Sequence, residues 1–406
     1  MRRGALRHPA FRLLFLGQAV SSLGDRLVPV ALAFAVLDLT GSVTDLGIVA
    51  AAQTAPLVVF VLLGGVWADR LPRQRVMLGS DAVRAVSQGA TALLLLEGQA
   101  HVWQLAVLQA VYGGAEAFFG PASVAVVPQT VEGADLQQAN ALMSLSGNVA
   151  AVLGPAFAGV IVATIGTGWG LAIDAATFVV SAVFLAMMRV EPVVLAARAN
   201  TVAELRAGWR AFRSRTWLWV TVAYFTLFIG FVYAPLLVLG PEVARTSLGG
   251  AGAWAAIATA LGLGSLVGGL IGFRWRPRYP LRVAFLTFLI AGPALFGLLA
   301  ADAPLPLIVA VALVDGASGP LFNTLWYTAL QREVPASELS RVSSWDYLGS
   351  VAMLPAGQAI SGPVGEAIGI STTLYLAGAL FLVLLLAVLA VPAVRNFSSE
   401  AAVSAA

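Results

Sequence analysis

Three carboxylates lie inside long apolar stretches of the sequence: Asp25, Glu116 and Asp315. A charge at the depth of a bilayer costs about 2.5–3.5 kcal/mol on insertion scales, so these side chains are not expected to face lipid. Each lies on a helical face of polar, aromatic or small residues spaced three and four apart. The pattern predicts that the three groups face the inside of a helical bundle. The faces comprise Gln18, Ser22, Asp25 and Pro29; Tyr112, Glu116, Phe119 and Ser123; and Asp315, Gly319, Phe322 and Trp326.

The composition predicts that the surrounding elements span a membrane. Of 406 residues, 59% are apolar and 11% charged, and the mean hydropathy is +0.89; a soluble domain averages about 25% charged residues. The chain has no cysteine, which excludes disulfides and thiolate metal sites. His8 and His101 are too few for a zinc site, and the absence of lysine excludes a nucleotide-binding P-loop. We expect an integral membrane protein that is not an enzyme, has no cofactor and binds no nucleic acid.

Twelve apolar runs are long enough to cross a bilayer, which takes about 20 residues. The longest polar segment, 189–216, separates the sixth run from the seventh. In it Leu205, Trp209 and Phe212 recur at helical spacing opposite arginines, which predicts an amphipathic linker helix on the cytoplasmic leaflet. The predicted spans are 13–37, 46–68, 75–97, 103–128, 140–165, 169–188, 217–239, 252–273, 281–300, 305–330, 344–368 and 372–393.

The arginines predict the topology. All 23 basic residues are arginine, and all except Arg26, Arg84 and Arg245 fall in the N-terminal arm, in alternate loops or in the tail. The positive-inside rule assigns those loops to the cytoplasm. Because the number of spans is even, both termini are then expected in the cytoplasm.

The two halves of the chain repeat a local pattern. A carboxylate four residues before Gly-Pro occurs in span 4, at Glu116, and again in span 10, at Asp315. Such repeats predict two six-helix pseudo-repeats in parallel orientation. The expected domains are an N-terminal bundle over 1–188, the linker over 189–216, and a C-terminal bundle with a short cytoplasmic tail over 217–406.

The segment after span 2 carries a family motif. Gly65, Asp69, Arg70 and Arg73 match the pattern Gly-x-x-x-Asp-Arg-x-Gly-Arg-Arg/Lys, with Pro72 at the second glycine. Over essentially its full length the chain resembles the major facilitator superfamily, within it the drug:proton antiporter branch that includes macrolide efflux proteins and the bacterial enterobactin exporter. Span 4 lacks the arginine that another drug-antiporter branch uses in its proton-coupling motif, so that relay is not carried over.

The resemblance implies that spans 1, 4, 7 and 10 line a central cavity. Asp25, Arg26, Glu116 and Asp315 would then converge near the middle of the membrane. Desolvation favours a neutral carboxyl group and a nearby arginine favours a charged one, so a group balanced between them can exchange protons with either side. One interpretation is that these residues couple proton entry to substrate exit. The other is a static salt bridge from Arg26 that ties helices together.

The resemblance also implies a substrate site and a conformational latch. Span 7 is aromatic where span 1 is ionic, so an apolar substrate is expected mainly in the C-terminal half; helix packing is the alternative for each aromatic residue. Asp69 is expected beside the N-terminus of span 11, where it closes the cytoplasmic side, or else it only anchors the topology. The candidate substrate-binding residues are Gln53, Tyr112, Phe119, Asn148, Tyr233, Phe322, Asn323, Trp326 and Tyr327, and the candidate latch residues are Gly65, Asp69, Arg70, Arg73, Arg341 and Asp346.

The residues and the resemblance together predict a secondary transporter of the bacterial inner membrane. We expect it to act as a monomer surrounded by membrane lipid and to export a hydrophobic small molecule, such as an antibiotic-like natural product, in exchange for protons. Three alternatives stay open: a proton-independent facilitator, an exporter of a siderophore or other anionic metabolite, and a membrane scaffold or sensor that does not transport.

Overall fold

The computed structural model describes residues 4–190 and 201–398, and within these it gives no side chains for residues 61–70, 134, 201–205, 336, 337 and 340. The described residues form helices and turns and no strand. The first half contains α1 (Pro9–Asp25), α2 (Val28–Thr40), α3 (Val43–Arg70), α4 (Arg73–Leu96), α5 (Val102–Val126), α6 (Leu136–Ile165) and α7 (Thr167–Met187). The second half contains α8 (Thr201–Arg213), α9 (Thr216–Phe228), α10 (Ala234–Ser247), α11 (Ala251–Arg274), α12 (Pro280–Ala300), α13 (Leu305–Gly316), α14 (Ser318–Glu333), α15 (Ala336–Val351), α16 (Leu354–Ile368), α17 (Ile370–Ala390) and α18 (Pro392–Arg395).

Ten helical stretches in the described part of the chain are long and apolar enough to cross a membrane. Two further predicted spans are helical but differ from these. The helix α4 carries Asp81 and Arg84 within its length, which lowers its hydropathy. The predicted eleventh span is divided at Ala352 and Met353 into α15 and α16, of 16 and 15 residues. The architecture is therefore the all-α, multi-span membrane fold that the sequence predicts.

Proline interrupts two spans beside candidate carboxylates. The helix α1 ends at Asp25, because Pro29 has no N–H to donate to the Asp25 carbonyl and its ring clashes with that carbonyl. In the same way α13 ends one residue after Asp315, because Pro320 cannot donate to the carbonyl of Gly316. Both acids thus lie at breaks within their spans.

The chain divides by its internal contacts into two compact units. The N-terminal unit comprises Met1–Ala197 with Trp254–Thr259, and the C-terminal unit comprises Arg198–Ala253 with Ala260–Ala406. In the N-terminal unit α4 packs against α5 and α7, and α3 packs along α5. In the C-terminal unit α12 packs against α17, and α10 packs against α16.

Glycine allows close helix contacts in both units. A Cβ atom at Gly113 on α5 would overlap the carbonyl oxygen of Gln53 on α3. In the C-terminal unit, a Cβ at Gly268 on α11 would overlap the Ala317 carbonyl oxygen in the same way. These positions need glycine because two backbones touch there.

The linker helix α8 packs on protein. The ring of Trp209 lies 4.9 Å from that of Trp345 on α15 and 5.5 Å from that of Phe212. Just after α8, Arg215 donates a hydrogen bond of 3.0 Å to Glu338. The aromatic face that the sequence assigns to the membrane surface therefore contacts α15, while the side chain of Leu205 lies outside the described residues.

Candidate functional site

A buried arginine organises the N-terminal unit. The side chain of Arg84 on α4 is only 2% exposed, and its guanidinium carbon lies 4.0 Å from the ring centre of Phe119 and 4.3 Å from that of Phe178. It forms an ion pair with Asp81, one turn earlier on α4, and its Nη1 lies 3.7 Å from Asp25 Oδ1. Two aromatic faces and two carboxylates thus stabilise one desolvated cation.

Asp25 is the accessible end of this cluster. Its side chain is 34% exposed, whereas that of Asp81 is fully buried. Its Oδ1 accepts a hydrogen bond of 2.9 Å from the hydroxyl of Tyr112 on α5. The break after α1 places this carboxylate at the end of a helix, within reach of both α4 and α5. Of the two carboxylates paired with Arg84, Asp25 is therefore the more exposed.

A second polar chain lies wholly inside the N-terminal unit. Gln109 Nε2 donates to Gln88 Oε1 at 3.0 Å, and Gln88 Nε2 donates to Asp174 Oδ2 at 3.0 Å. All three side chains are fully buried. Asp174 Oδ1 has no hydrogen-bond partner among the described atoms. The amide of Gln88 is therefore the hydrogen-bond donor to the buried Asp174 carboxylate.

Glu116 and Arg26 occupy less buried positions than Arg84. Glu116 on α5 is half-buried, makes no hydrogen bond or ion pair with any described side chain, and interacts electrostatically with Arg84. Arg26 is exposed at the turn between α1 and α2 and forms no salt bridge in the described part of the chain. The static ion pair from Arg26 to Asp25 or Glu116, one of the two interpretations of the sequence, is therefore not formed, and Asp25 pairs with Arg84 instead.

The spacing of polar residues in the sequence could have predicted that one face of α4 is buried. Six polar positions recur along one face of α4 at helical spacing, in a helix long enough to span a membrane. All six are buried in the structure. They are Ser80, Asp81, Arg84, Ser87, Gln88 and Thr91.

The C-terminal unit holds Asp315 next to aromatic residues. Asp315 is half-buried at the end of α13, and no described group donates a hydrogen bond to it. A Cβ built at Gly292 on α12 would lie 3.2 Å from Asp315 Oδ1, so α12 passes directly beside the carboxylate. The same Cβ would meet the ring of Phe381. Asp315 therefore forms no ion pair with any arginine in the described part of the chain.

Two of the candidate substrate-binding aromatics pack inside the C-terminal unit. Phe322 is buried, with ring centres of Phe225 and Phe285 at 4.7 and 5.2 Å. Trp326 is also buried and packs edge-on against Trp217 at 5.4 Å. Tyr112 and Phe119 are likewise buried, in the N-terminal unit. The structure thus gives these four rings packing contacts, and direct contact with a substrate would need a change in those contacts.

Other candidates for substrate binding are accessible. Tyr233 ends a π-helical stretch, Ile229–Tyr233, and is exposed, as are Asn323 and Tyr327 on α14. Single π turns within α-helices occur often at functional sites. Of the two polar candidates in the N-terminal unit, Gln53 is half-buried and Asn148 is exposed.

The structure describes the side chains of only some candidate latch residues. The side chains of Gly65, Asp69 and Arg70 are not among those that the structure describes. Arg73 donates a hydrogen bond of 2.6 Å to the Ala125 carbonyl in the last turn of α5, where helix carbonyls lack helical partners. Arg341 lies against α8 at Gly208, where an added Cβ would be 2.9 Å from the Arg341 Cβ.

Asp346 has a neighbour that the sequence did not predict. It is buried on α15 and accepts a hydrogen bond of 3.1 Å from the indole nitrogen of Trp326 on α14. This contact connects a candidate latch residue with the aromatic cluster of the same unit.

These features define a multi-pass helical membrane protein with buried charge in one unit and an aromatic core in the other. The chain belongs to the Major Facilitator Superfamily, whose family model matches residues 14–351. It is therefore a membrane transporter and not an enzyme, as predicted. Among residues with described side chains, no group of His, Asp or Glu is arranged to hold a metal ion.

Proteins named as efflux proteins are among those similar to this chain. The chain is 30% identical to multidrug efflux pump Tap of Mycolicibacterium fortuitum, over 90% of this chain and 91% of that protein. It is 24% identical to macrolide efflux protein A of Streptococcus pyogenes, over 92% and 93%. The predicted resemblance is thereby confirmed.

Solved structures agree on the fold. The nucleoside transporter NupG superposes with a TM-score of 0.78 at 15% identity, covering 94% of this chain and 98% of that one. A bacterial homolog of the human lysosomal transporter Spinster, in an inward-facing and unoccupied conformation, gives a TM-score of 0.71 at 16% identity, covering 96% and 97%. At these identities the likeness concerns the fold alone.

Proposed function

We propose that this transporter exports a hydrophobic, antibiotic-like small molecule in exchange for protons, by alternating access, as a monomer in the bacterial inner membrane. The efflux relatives support export of a small molecule. The exchange for protons is supported by the position of Asp25, a partly exposed carboxylate that pairs with Arg84 together with the fully buried Asp81.

The charges around Arg84 favour proton exchange over a fixed salt bridge. Arg84 interacts electrostatically with Asp25, Asp81 and Glu116, so acids outnumber the buried base. An unpaired buried charge is strongly destabilising, and a proton is the smallest cation that can restore the balance. In this proposal a proton on Asp25 weakens its attraction for Arg84, and the guanidinium then turns toward Glu116.

The C-terminal unit supports a hydrophobic substrate. Tyr233 and Tyr327 present exposed rings, and Asn323 adds an exposed amide on the same helix as Tyr327. Aromatic faces with few polar groups suit a large apolar ligand that fits loosely. Asp315 is the carboxylate of this unit that we assign to proton exchange.

The alternatives differ in what they require. An anionic metabolite would need an unpaired buried cation, and Arg84 is already neutralised by Asp25 and Asp81. A proton-independent facilitator would export at the same rate after the pH gradient is collapsed. A scaffold or sensor would show no flux that depends on these acids.

Substrate-driven proton flux in proteoliposomes tests the proposal, with erythromycin as the probe because one relative is a macrolide efflux protein. The variants are Asp25→Asn, Glu116→Gln and Asp315→Asn. The matched control is Asp302→Asn, in an exposed turn with φ of 49°, a conformation that asparagine tolerates.

We expect Asp25→Asn to reduce coupled proton flux at least about tenfold, the control to keep it, and the other two to fall between. Full coupled flux in all three variants would refute the assignment of the carboxylates. Export that persists unchanged without a pH gradient would refute proton antiport and favour the facilitator.

A further inference from the structure

A cavity opens at one end of the C-terminal unit, where α11 ends, α12 begins and α14 ends. Its volume is about 320 Å³, and its lining includes Trp275, Arg276, Arg332 and Phe397. At its floor α11 meets α14: a Cβ at Gly272 would lie 3.0 Å from that of Thr324. The cavity therefore has a closed floor, and its lining includes aromatic rings and two arginines.

The charge at this cavity is unbalanced. Arg276 and Arg332 are exposed, and neither forms a hydrogen bond or an ion pair with any described residue. Glu333 also lines the cavity and offsets one positive charge. Four further arginines lie close in sequence to residues that line the cavity, so the charge around the opening is mostly positive. They are Arg274, Arg278, Arg282 and Arg395.

An apolar groove continues from the cavity along the outer face of α11. It is lined by Val267, Leu270, Ile271, Arg274 and Trp275, so Trp275 borders both spaces. Leu270 is 72% exposed within the protein. A cationic cavity joined to an exposed apolar groove, with a tryptophan between them, has the two-part chemistry of an amphiphile with an anionic head.

The geometry points to a binding site for one anionic phospholipid: the phosphate lies between Arg276 and Arg332, and an acyl chain follows the α11 groove. A soluble phosphate would occupy only the cavity and would leave the apolar groove empty. A lipid uses both spaces, and the positive field attracts it to this end of the unit. This assignment does not rest on the proposed function, because it concerns a site at the surface of one unit.

Lipid retention by the full-length protein tests the site. The purified protein is incubated in detergent with equal amounts of palmitoyl-oleoyl phosphatidylglycerol and phosphatidylcholine, and bound lipid is counted by native mass spectrometry. Two variants probe the cavity: Arg276→Gln with Arg332→Gln removes the cations, and Thr328→Trp fills the space without changing charge. The control, Arg12→Gln with Arg189→Gln, makes the same charge change at two exposed positions of the N-terminal unit.

We expect the wild type and the control to retain one phosphatidylglycerol selectively. An arginine near an anionic headgroup strengthens binding about fivefold, so the double cavity variant should lose roughly 25-fold. Thr328→Trp should lose selectivity as well, and a tenfold excess of glycerol 3-phosphate should not displace the lipid. If the control loses as much phosphatidylglycerol as the cavity variants, the attraction is only diffuse. If glycerol 3-phosphate displaces the lipid, the cavity binds free phosphate, and if both cavity variants retain the lipid fully, there is no site here. Each of these three results overturns the assignment.

Discussion

Removing Arg84 should destabilise the protein far more than removing a comparable surface arginine. In the variant Arg84→Gln, Asp81 stays fully buried and loses its ion-pair partner, while Phe119 and Phe178 lose the cation between them. Breaking a buried pair by removing one partner costs about 3–5 kcal/mol. We expect the free energy of unfolding to fall by that amount.

The chain offers a matched control for this variant. Arg7 forms ion pairs with Glu132 at 3.3 Å and with Asp135 at 3.2 Å, and the side chains of Arg7 and Glu132 are 44% and 75% exposed. An ion pair of that kind contributes about 1 kcal/mol or less because solvent screens it. Arg7→Gln should therefore lose no more than that.

A double variant identifies the source of the loss. Asp81→Asn combined with Arg84→Gln leaves no unpaired charge at the buried position, whereas the partly exposed Asp25 can be hydrated. We expect the double variant to regain most of the stability that Arg84→Gln loses. The assay is SDS-induced unfolding in mixed micelles, followed by far-UV circular dichroism. The reasoning fails if Arg84→Gln is no less stable than Arg7→Gln, or if the double variant is no more stable than Arg84→Gln.

Three further changes test other contacts. Gly113→Ala should cost about 1–3 kcal/mol, because the new Cβ overlaps a carbonyl of α3, whereas Gly147→Ala has free space and should cost little; SDS unfolding compares them. Trp209→Ala removes the ring that packs α8 against α15. Limited trypsin digestion at the arginines of α8 should therefore become faster, and an unchanged rate would contradict this packing. Gln88→Leu takes the hydrogen-bond donor from the buried Asp174 and the acceptor from Gln109, and should cost about 1–3 kcal/mol for each group left unsatisfied. The double variant that also carries Asp174→Leu should recover the part due to the carboxylate; no recovery would mean that the carboxylate is not an unsatisfied group.

The sequence predicted the helical architecture because composition and spacing determine it directly. Apolar runs of membrane length, proline positions and the repeated acid before Gly-Pro all follow from residue types along the chain. Asp25 and Glu116 could be singled out for the same reason, since a carboxylate in an apolar run has few structural explanations.

The partner of these acids could not be predicted from local sequence. Arg26 is adjacent to Asp25, but adjacent residues on a helix point in different directions, and the break after α1 leaves Arg26 exposed. Arg84 reaches Asp25 through the packing of α4, which is a tertiary contact. The polar face of α4 indicated a buried helix side, though it did not specify which acid lies opposite.

The aromatic candidates show a second limit of sequence reasoning. Phe322 and Tyr327 lie on the same helix, and both fit a pattern for substrate binding or for helix packing. The structure buries Phe322 among other rings and exposes Tyr327. That difference depends on the rotation of α14 about its axis, which neighbouring helices determine and residue spacing does not.

The proline-induced breaks also bear on where water can go. Because Pro29 and Pro320 donate no hydrogen bond, the backbone carbonyls of Asp25 and Gly316 lack the partner that a continuous helix supplies. Hydrocarbon cannot satisfy such an oxygen, so each needs a protein donor or a water molecule at its depth. Hydration of the inner parts of these two spans is thus favoured by the backbone itself, and it would persist even after the neighbouring carboxylates are replaced by amides.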